Sequence, residues 1–425
     1  MRIFRNAVAL VGTQGVTSVL GFAYWWLAAR WFSASSVGAA SAIVSAMTLI
    51  ATFGMLGLGA MLIGHLPRDR ARAPQLVTTA VLIAGAASAA LAVLFALASP
   101  LISPEIGTLA VRLDHLVIFA AGAALAGMGF VLDQASVGVM RSSLQLWRNT
   151  IFSVVKLAAL AVAAIWLART DSYAIFVTWV LGIGTSLAAI VLLEARQGKL
   201  NRGYRPELRS LAGMERAALG HHALNVILLG PGLFLPLIVT ALLSAEMNAY
   251  FYTAWMLNGF VTVVPVALTT VLFAAVSENR ATLPQRLKLT LGASLAYGVA
   301  AILLIAVAGR WLLGLFGPDY ALEGATALTI LTLTVIPLVI SEHFVALARI
   351  ARQPGRAAVP LGASNVLKLV FAAAGAKLGG LTGLSIGILI VSVAVALYLL
   401  PSVLRALGPL GPGPTPEAKG QSSAP

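Results

Sequence analysis

The chain has 425 residues, 60% of them hydrophobic and only 10% charged. A soluble body of this size keeps roughly a quarter of its residues charged, so a water-solvated globule is excluded and lipid is the solvent that fits. The absence of Cys removes disulfides, thiolate chemistry and Cys-built zinc sites; the net charge of +14 sits in short loops rather than in one patch, which argues against a nucleic-acid partner.

Read in chain order, the apolar runs define twelve segments near the roughly 20 residues that cross a hydrocarbon core. The first, 7–29, follows Arg2 and Arg5; it is long and eleven more follow, so it reads as a retained helix rather than a signal peptide. Next come 38–64 and 75–99, parted by the polar run Pro67 to Arg72, and then 115–139, 148–168 and 172–194. A basic segment, 196–217, carries Arg196, Lys199, Arg202, Arg205 and Arg209 and reads as a cytoplasmic linker between an N-terminal six-helix bundle (1–195) and a C-terminal one (218–404). The second half holds 218–243, 247–276, 288–308, 321–343, 357–377 and 381–404; a Pro-, Gly- and Ser-rich tail, 405–425, reads as disordered and cytoplasmic. Continuous runs without period-two alternation argue against a barrel.

With the N-terminus in the cytoplasm and sides alternating, 21 of the 28 Lys and Arg fall on the cytoplasmic side, five outside, and Lys156 and Lys368 within spans. That is the bias the positive-inside rule gives, and it assigns both termini to the cytoplasm. Trp31, Trp147, Trp166 and Trp311 sit near span ends, as interfacial anchors do. The halves also echo each other: Phe32-Ser33-Ala34 then Gly38, and Leu243-Ser244-Ala245 then Ala249, recur at an offset of 211 residues. Six spans per half gives two repeats of the same orientation, which places a substrate path between them and works by rocking one against the other.

Several stretches carry a resemblance. Arg5-Asn6, Ala29-Arg30-Trp31-Phe32 and Val37-Gly38 open the chain. Ala249-Tyr250-Phe251-Tyr252, Trp255-Met256, Pro265, Leu272-Phe273 and Ser277-Glu278 follow in the eighth span, and Trp311-Leu312-Leu313, Leu315-Phe316-Gly317 and Tyr320 after the ninth. These resemble polysaccharide biosynthesis membrane proteins, the lipid-linked oligosaccharide flippases of the superfamily that also holds multidrug and toxin extruders. The resemblance spans roughly residues 1–404. It implies two six-helix bundles in a V around a central cavity, and a polyprenyl-pyrophosphate-linked sugar chain moved from inner to outer leaflet. It further implies a bacterial inner membrane, lipid neighbours, and a polysaccharide polymerase and glycosyltransferases as partners.

A charge inside a span is a functional candidate by default. Asp133 lies eight residues before Arg141 and Lys156 eight after Arg148, which puts both about 12 Å deep and makes an Asp133–Lys156 pair the expected arrangement, as a lock or as a switch. Lys368, near the middle of the eleventh span, has no partner evident in sequence; it needs a wet cavity, a carboxylate from elsewhere, or an interfacial reach. Polar stripes mark the first span (Gln14, Ser18), the second (Ser41, Ser45, Thr48, Thr52), the seventh (His222, Asn225) and the eighth (Asn258, Thr262, Thr269). In the resembled family these helices line the cavity; the alternative is close helix packing by small polar residues. Pro231 and Pro236 suit a bending seventh helix, or a static kink. No nucleotide-binding Gly-rich loop and no metal or cofactor motif is present, and the chain reads as a transporter rather than an enzyme. A flippase leads; a cation-coupled multidrug exporter of the same fold, or a non-transporting scaffold of a polysaccharide assembly complex, are the alternatives.

Overall fold

The computed structural model describes residues 2–166, 171–197, 205–207, 215–278, 280–351, 353 and 355–408. Side chains of 2–14, 16, 215–221, 223–225, 227–229, 274, 277, 278, 280 and 355–357 lie outside that description. So do most of the 196–217 linker, most of the 405–425 tail, and the side chains of Gln14 and Asn225.

Lipid offers no partner to a free N–H or C=O, so a chain this apolar must satisfy its backbone within helices. The described residues are helical almost throughout. The helices are α1 (Arg2–Trp31), α2 (Ala34–Gly54), α3 (Leu58–His65), α4 (Ala73–Ala98), α5 (Pro104–Val111), α6 (Leu113–Gly138), α7 (Ser142–Trp166) and α8 (Ser172–Arg196). There follow α9 (Glu215–Leu242), α10 (Ala245–Glu278), α11 (Leu283–Gly314), α12 (Pro318–Leu333), α13 (Val335–Ile350) and α14 (Gly355–Arg405). Nine are apolar and long enough to cross a membrane when α12 and α13 are taken as one, among the described residues. Three adjustments recover the twelve spans of the sequence: α1 and α9 are of crossing length, and α14 is two arms folded back at Gly379 and Gly380. Gly380 has φ 59°, a left-handed turn open to glycine, and the arms then close so tightly that a Cβ on Gly375 would lie 2.1 Å from the Gly383 carbonyl oxygen. The chain is a multi-pass membrane protein.

In the first half α2 is the central helix, against α4, α6 and α8, while α1 packs on α7. In the second, α10 is central, against α11, α12 and α13, and α9 lies on α14. The halves meet where α2 crosses α9 and α10. Caps repeat there as the sequences do: the Ser33 hydroxyl accepts from the Ser36 N–H at 3.2 Å, and the Ser244 hydroxyl from the Met247 N–H at 3.0 Å. The crossing itself is backbone on backbone. A Cβ on Gly38 would lie 1.6 Å from the Ala245 carbonyl oxygen and 2.9 Å from the Ala249 nitrogen. The Asn248 amide donates to the Gly38 carbonyl at 2.8 Å and to the Ser41 hydroxyl at 3.0 Å, fastening the contact.

Aliphatic side chains cover the outer face, as a lipid-bathed surface requires: Val299, Leu303, Leu304 and Val307 on α11 are all exposed. In water that stripe would be an aggregation surface.

Candidate functional site

Three spaces open among these helices. The central one, about 550 Å³, lies between the halves and is lined by Ser45, Thr48 and Thr52 of α2, Asp133 and Gln134 of α6, Gln145 of α7, and Tyr252, Trp255 and Met256 of α10, among others. Serines and threonines three or four apart stack on one helix face, which is why Ser45, Thr48 and Thr52 point into one chamber. The two threonine hydroxyls donate within their own helix, Thr48 to the Val44 carbonyl at 2.7 Å and Thr52 to the Thr48 carbonyl at 2.8 Å, leaving acceptor lone pairs for a guest.

Behind its wall sits a side chamber of about 170 Å³, lined by Arg148, Asn149, Phe152, Trp179 and Ile183, and sharing Thr48 and Phe130 with the central cavity. On the opposite side of α2 lies an apolar cleft of about 700 Å³. Leu49, Ile50 and Phe53 of α2, Leu91 and Phe95 of α4, and Phe234, Leu237 and Ile238 of α9 form it.

The Asp133–Lys156 pair does not form. Arg148 Nε donates to Asp133 Oδ1 at 2.7 Å, Arg148 Nη2 bonds Asp133 Oδ2, and Asn149 Nδ2 donates to the same Oδ2 at 3.2 Å. The reason is helix phase. α7 begins at Ser142, six residues before the sequence boundary at 148, so Arg148 is carried into the membrane, where it is 5% exposed, and meets Asp133. Lys156, two turns further along and about 12 Å deeper, has passed it. Arg148, at the edge of the 148–168 segment in the sequence, is the basic half of a buried ion pair. Gly129 of α6 makes the room, since a Cβ there would lie 3.1 Å from Arg148 Nη1.

Lys156 is 2% exposed and lines none of the three spaces. Its ammonium lies 3.6 Å from the Trp179 ring centroid, 4.4 Å from Phe152 and 4.9 Å from Tyr24. Among the described residues no carboxylate lies within ion-pair distance of it, so the quadrupoles of three rings are its compensation. Tyr24 is itself fixed, its hydroxyl 2.7 Å from the Thr178 hydroxyl and donating to the Ile175 carbonyl at 2.9 Å.

Lys368 has no carboxylate within ion-pair distance among the described residues; Glu342 of α13 is the acid whose field reaches it, and neither lines the described spaces. Beside it His343, fully buried, has Nδ1 2.8 Å from the Val339 carbonyl and Nε2 3.2 Å from the Thr290 hydroxyl. His222 lines the apolar cleft, its ring 6.2 Å from that of Phe53. Asn258 is buried outside the central cavity, where α10 presents Tyr252, Trp255 and Met256 instead; among the described residues its side-chain oxygen has no partner. The central cavity is not electropositive: Asp133 is the charged residue lining it among those described, and both lysines are elsewhere.

Sequence reading missed Arg148, Glu342 and Glu194, the last paired with Arg141 at 2.8 Å near one end of α8. Glu342 had a signal, an acid within an apolar run one residue before His343. Arg148 was masked by a plausible loop.

No family model and no curated protein matches this chain. Its fold, with a cavity between two packed sets of crossing helices, is that of the MOP-superfamily transporters. The lipid II flippase MurJ in an inward closed conformation superposes with a TM-score of 0.72 at 13% identity, over 94% of this chain and 89% of that one. An inward-facing multidrug resistance MATE family transporter gives 0.69 at 15% identity over 94% and 98%, and an outward-facing one 0.61 at 16% over 95% of each. At these identities the likeness is one of fold.

Proposed function

We propose that this protein is a flippase that moves a polyprenyl-pyrophosphate-linked oligosaccharide from the inner to the outer leaflet for cell-surface polysaccharide synthesis. The reading rests on one observation: α2 and α9 stand between a chamber that carries hydroxyls, two amides and a carboxylate in its wall and a cleft lined almost wholly by apolar side chains. An amphiphile needs both, the chamber for sugars and diphosphate, the cleft for the prenyl tail; a compact drug needs only the first. The bias of Lys and Arg supports cytoplasmic termini, and the membrane in this reading is a bacterial inner membrane. The Gly38–Asn248 clamp is then the external gate, shut, with the cavity on the cytoplasmic side of it. Segments 1–195 and 218–404 are the rocking units, joined by the 196–217 linker. Polymerase and glycosyltransferases are its natural neighbours, since they make the substrate and consume the product; the chain itself performs no covalent step.

Deletion of the gene is expected to trap a lipid-linked sugar in the cytoplasmic leaflet. No accumulation there, with normal surface polysaccharide, removes the flippase reading. Asp133 in the cavity wall supports a second reading, a cation-coupled multidrug exporter. In that case Asp133→Asn abolishes efflux of an organic cation and leaves lipid-linked sugar untouched.

A further inference from the structure

We infer that the side chamber is an anion site for a phosphoryl group, masked in this conformation by Asp133, with Arg148 as the binding residue. The inference rests on the flippase reading for its ligand class and deepens it by naming where the diphosphate is held.

The geometry points to the site from four sides. Arg148 presents a guanidinium fork to a carboxylate, and a phosphoryl oxygen pair fits the same fork. The guanidinium is at the boundary of two spaces, since its partner Asp133 lines the central cavity while Arg148 and Asn149 line the side chamber. The chamber exceeds the volume of several waters and has room for one phosphoryl group. Thr48 and Phe130 line both spaces, so what stands between them there is side chain and not a helix backbone.

A buried ion pair whose only task is to hold two helices together has no need of a cavity on each side. It also resists separation, because a freed charge in a dry interior is strongly unfavourable. Here the freed carboxylate has somewhere to go. Gln134 and Gln145 flank Asp133 on the same cavity wall. The Gln134 amide donates to the Met55 thioether at 3.4 Å, a weak bond readily given up for a carboxylate. The substrate's phosphoryl group takes the Arg148 fork; Asp133 turns into the cavity toward amide and water. Asn149, which bonds both partners, loses its Asp133 acceptor and donates to the arriving anion. No bond is made or broken in the exchange: the fork gives up one monoanion and takes another, and the second charged phosphoryl of the diphosphate, close by, adds to the attraction.

The opposing variants give the test. Purified full-length protein in detergent is titrated calorimetrically with inorganic pyrophosphate and with farnesyl diphosphate. Arg148→Gln is expected to weaken both by roughly 10- to 100-fold, the worth of one charge-assisted forked contact. Asp133→Asn, which removes the competitor and leaves the fork, is expected to tighten both. Arg148→Lys keeps the charge without the fork and falls between wild type and Arg148→Gln. Where Asp133→Asn does not yield folded protein, Asp133→Ser removes the same competing carboxylate and gives a gain of the same sign. Unchanged affinity in Arg148→Gln, or weaker binding in Asp133→Asn, overturns the site. Pyrophosphate held through Arg148 as tightly as farnesyl diphosphate supports the site and ends the lipid-linked reading. Farnesyl diphosphate binding that ignores Arg148 keeps that reading and overturns the site.

Discussion

Replacing Gly38 by Ala should open the closed end of the molecule, and the size of the effect follows from two distances. The added Cβ would lie 1.6 Å from the Ala245 carbonyl oxygen, a backbone atom that no rotamer change can move. Ordinary contact begins near 3.4 Å, so α2 and α10 must separate by about 1.8 Å at their crossing. That stretches the Asn248 amide from 2.8 Å to beyond 4 Å from the Gly38 carbonyl, past any hydrogen bond. Asn248 is fully buried, so its amide is left unsatisfied as well as unbonded. Together these cost about 2–5 kcal/mol, charged to the closed state alone. A shift of that size moves a two-state equilibrium by roughly 30- to several thousand-fold toward the alternative. The natural absence of Cys makes the assay direct. Spin labels on Ala34→Cys, the first residue of α2, and Leu243→Cys, in the α9–α10 turn, report the gap by pulsed electron resonance. Wild type should give a short, narrow distance and Gly38→Ala a longer one, with transport reduced. An unchanged distance in folded Gly38→Ala protein would refute the argument that this crossing is the gate.

Three other outcomes follow from the same geometry. Lys156→Met keeps the stem and loses three ring contacts, so the melting of detergent-solubilised protein should fall by about 1 kcal/mol or less, whereas Lys156→Glu should prevent folding by burying an anion against three ring faces. Lys368→Met and Glu342→Gln should each destabilise more than the double variant does, because either alone leaves a charge uncompensated; additive losses in the double-mutant cycle would show that the two do not interact. Ile50→Asp, in the apolar cleft, should cut export of lipid-linked sugar while leaving pyrophosphate binding intact, and full export would show that the cleft carries no tail.

Most of the fold was legible because lipid leaves few choices. Runs of apolar residues must be helices, their number sets the topology, and the loop charges orient them. Positions 33 and 244, and 38 and 249, could be matched by eye, and they are where the halves cap and cross. Local order along one helix was legible too: Ser45, Thr48 and Thr52 share a face by spacing alone and do line the cavity.

The partners of the buried charges were decided by the tertiary structure. A misplaced start of six residues rotates a helix by well over a full turn and slides it about 9 Å, so depth counted from a loop paired Asp133 with Lys156 when the fold gives it Arg148. Sequence determined that Lys156 and Lys368 lie within the membrane and must be compensated. Only packing decided how: the rings around Lys156 come from its own helix, from α8, brought close by Gly182, and from α1, far off in sequence, and their convergence is a matter of tertiary contact that no loop charge specifies.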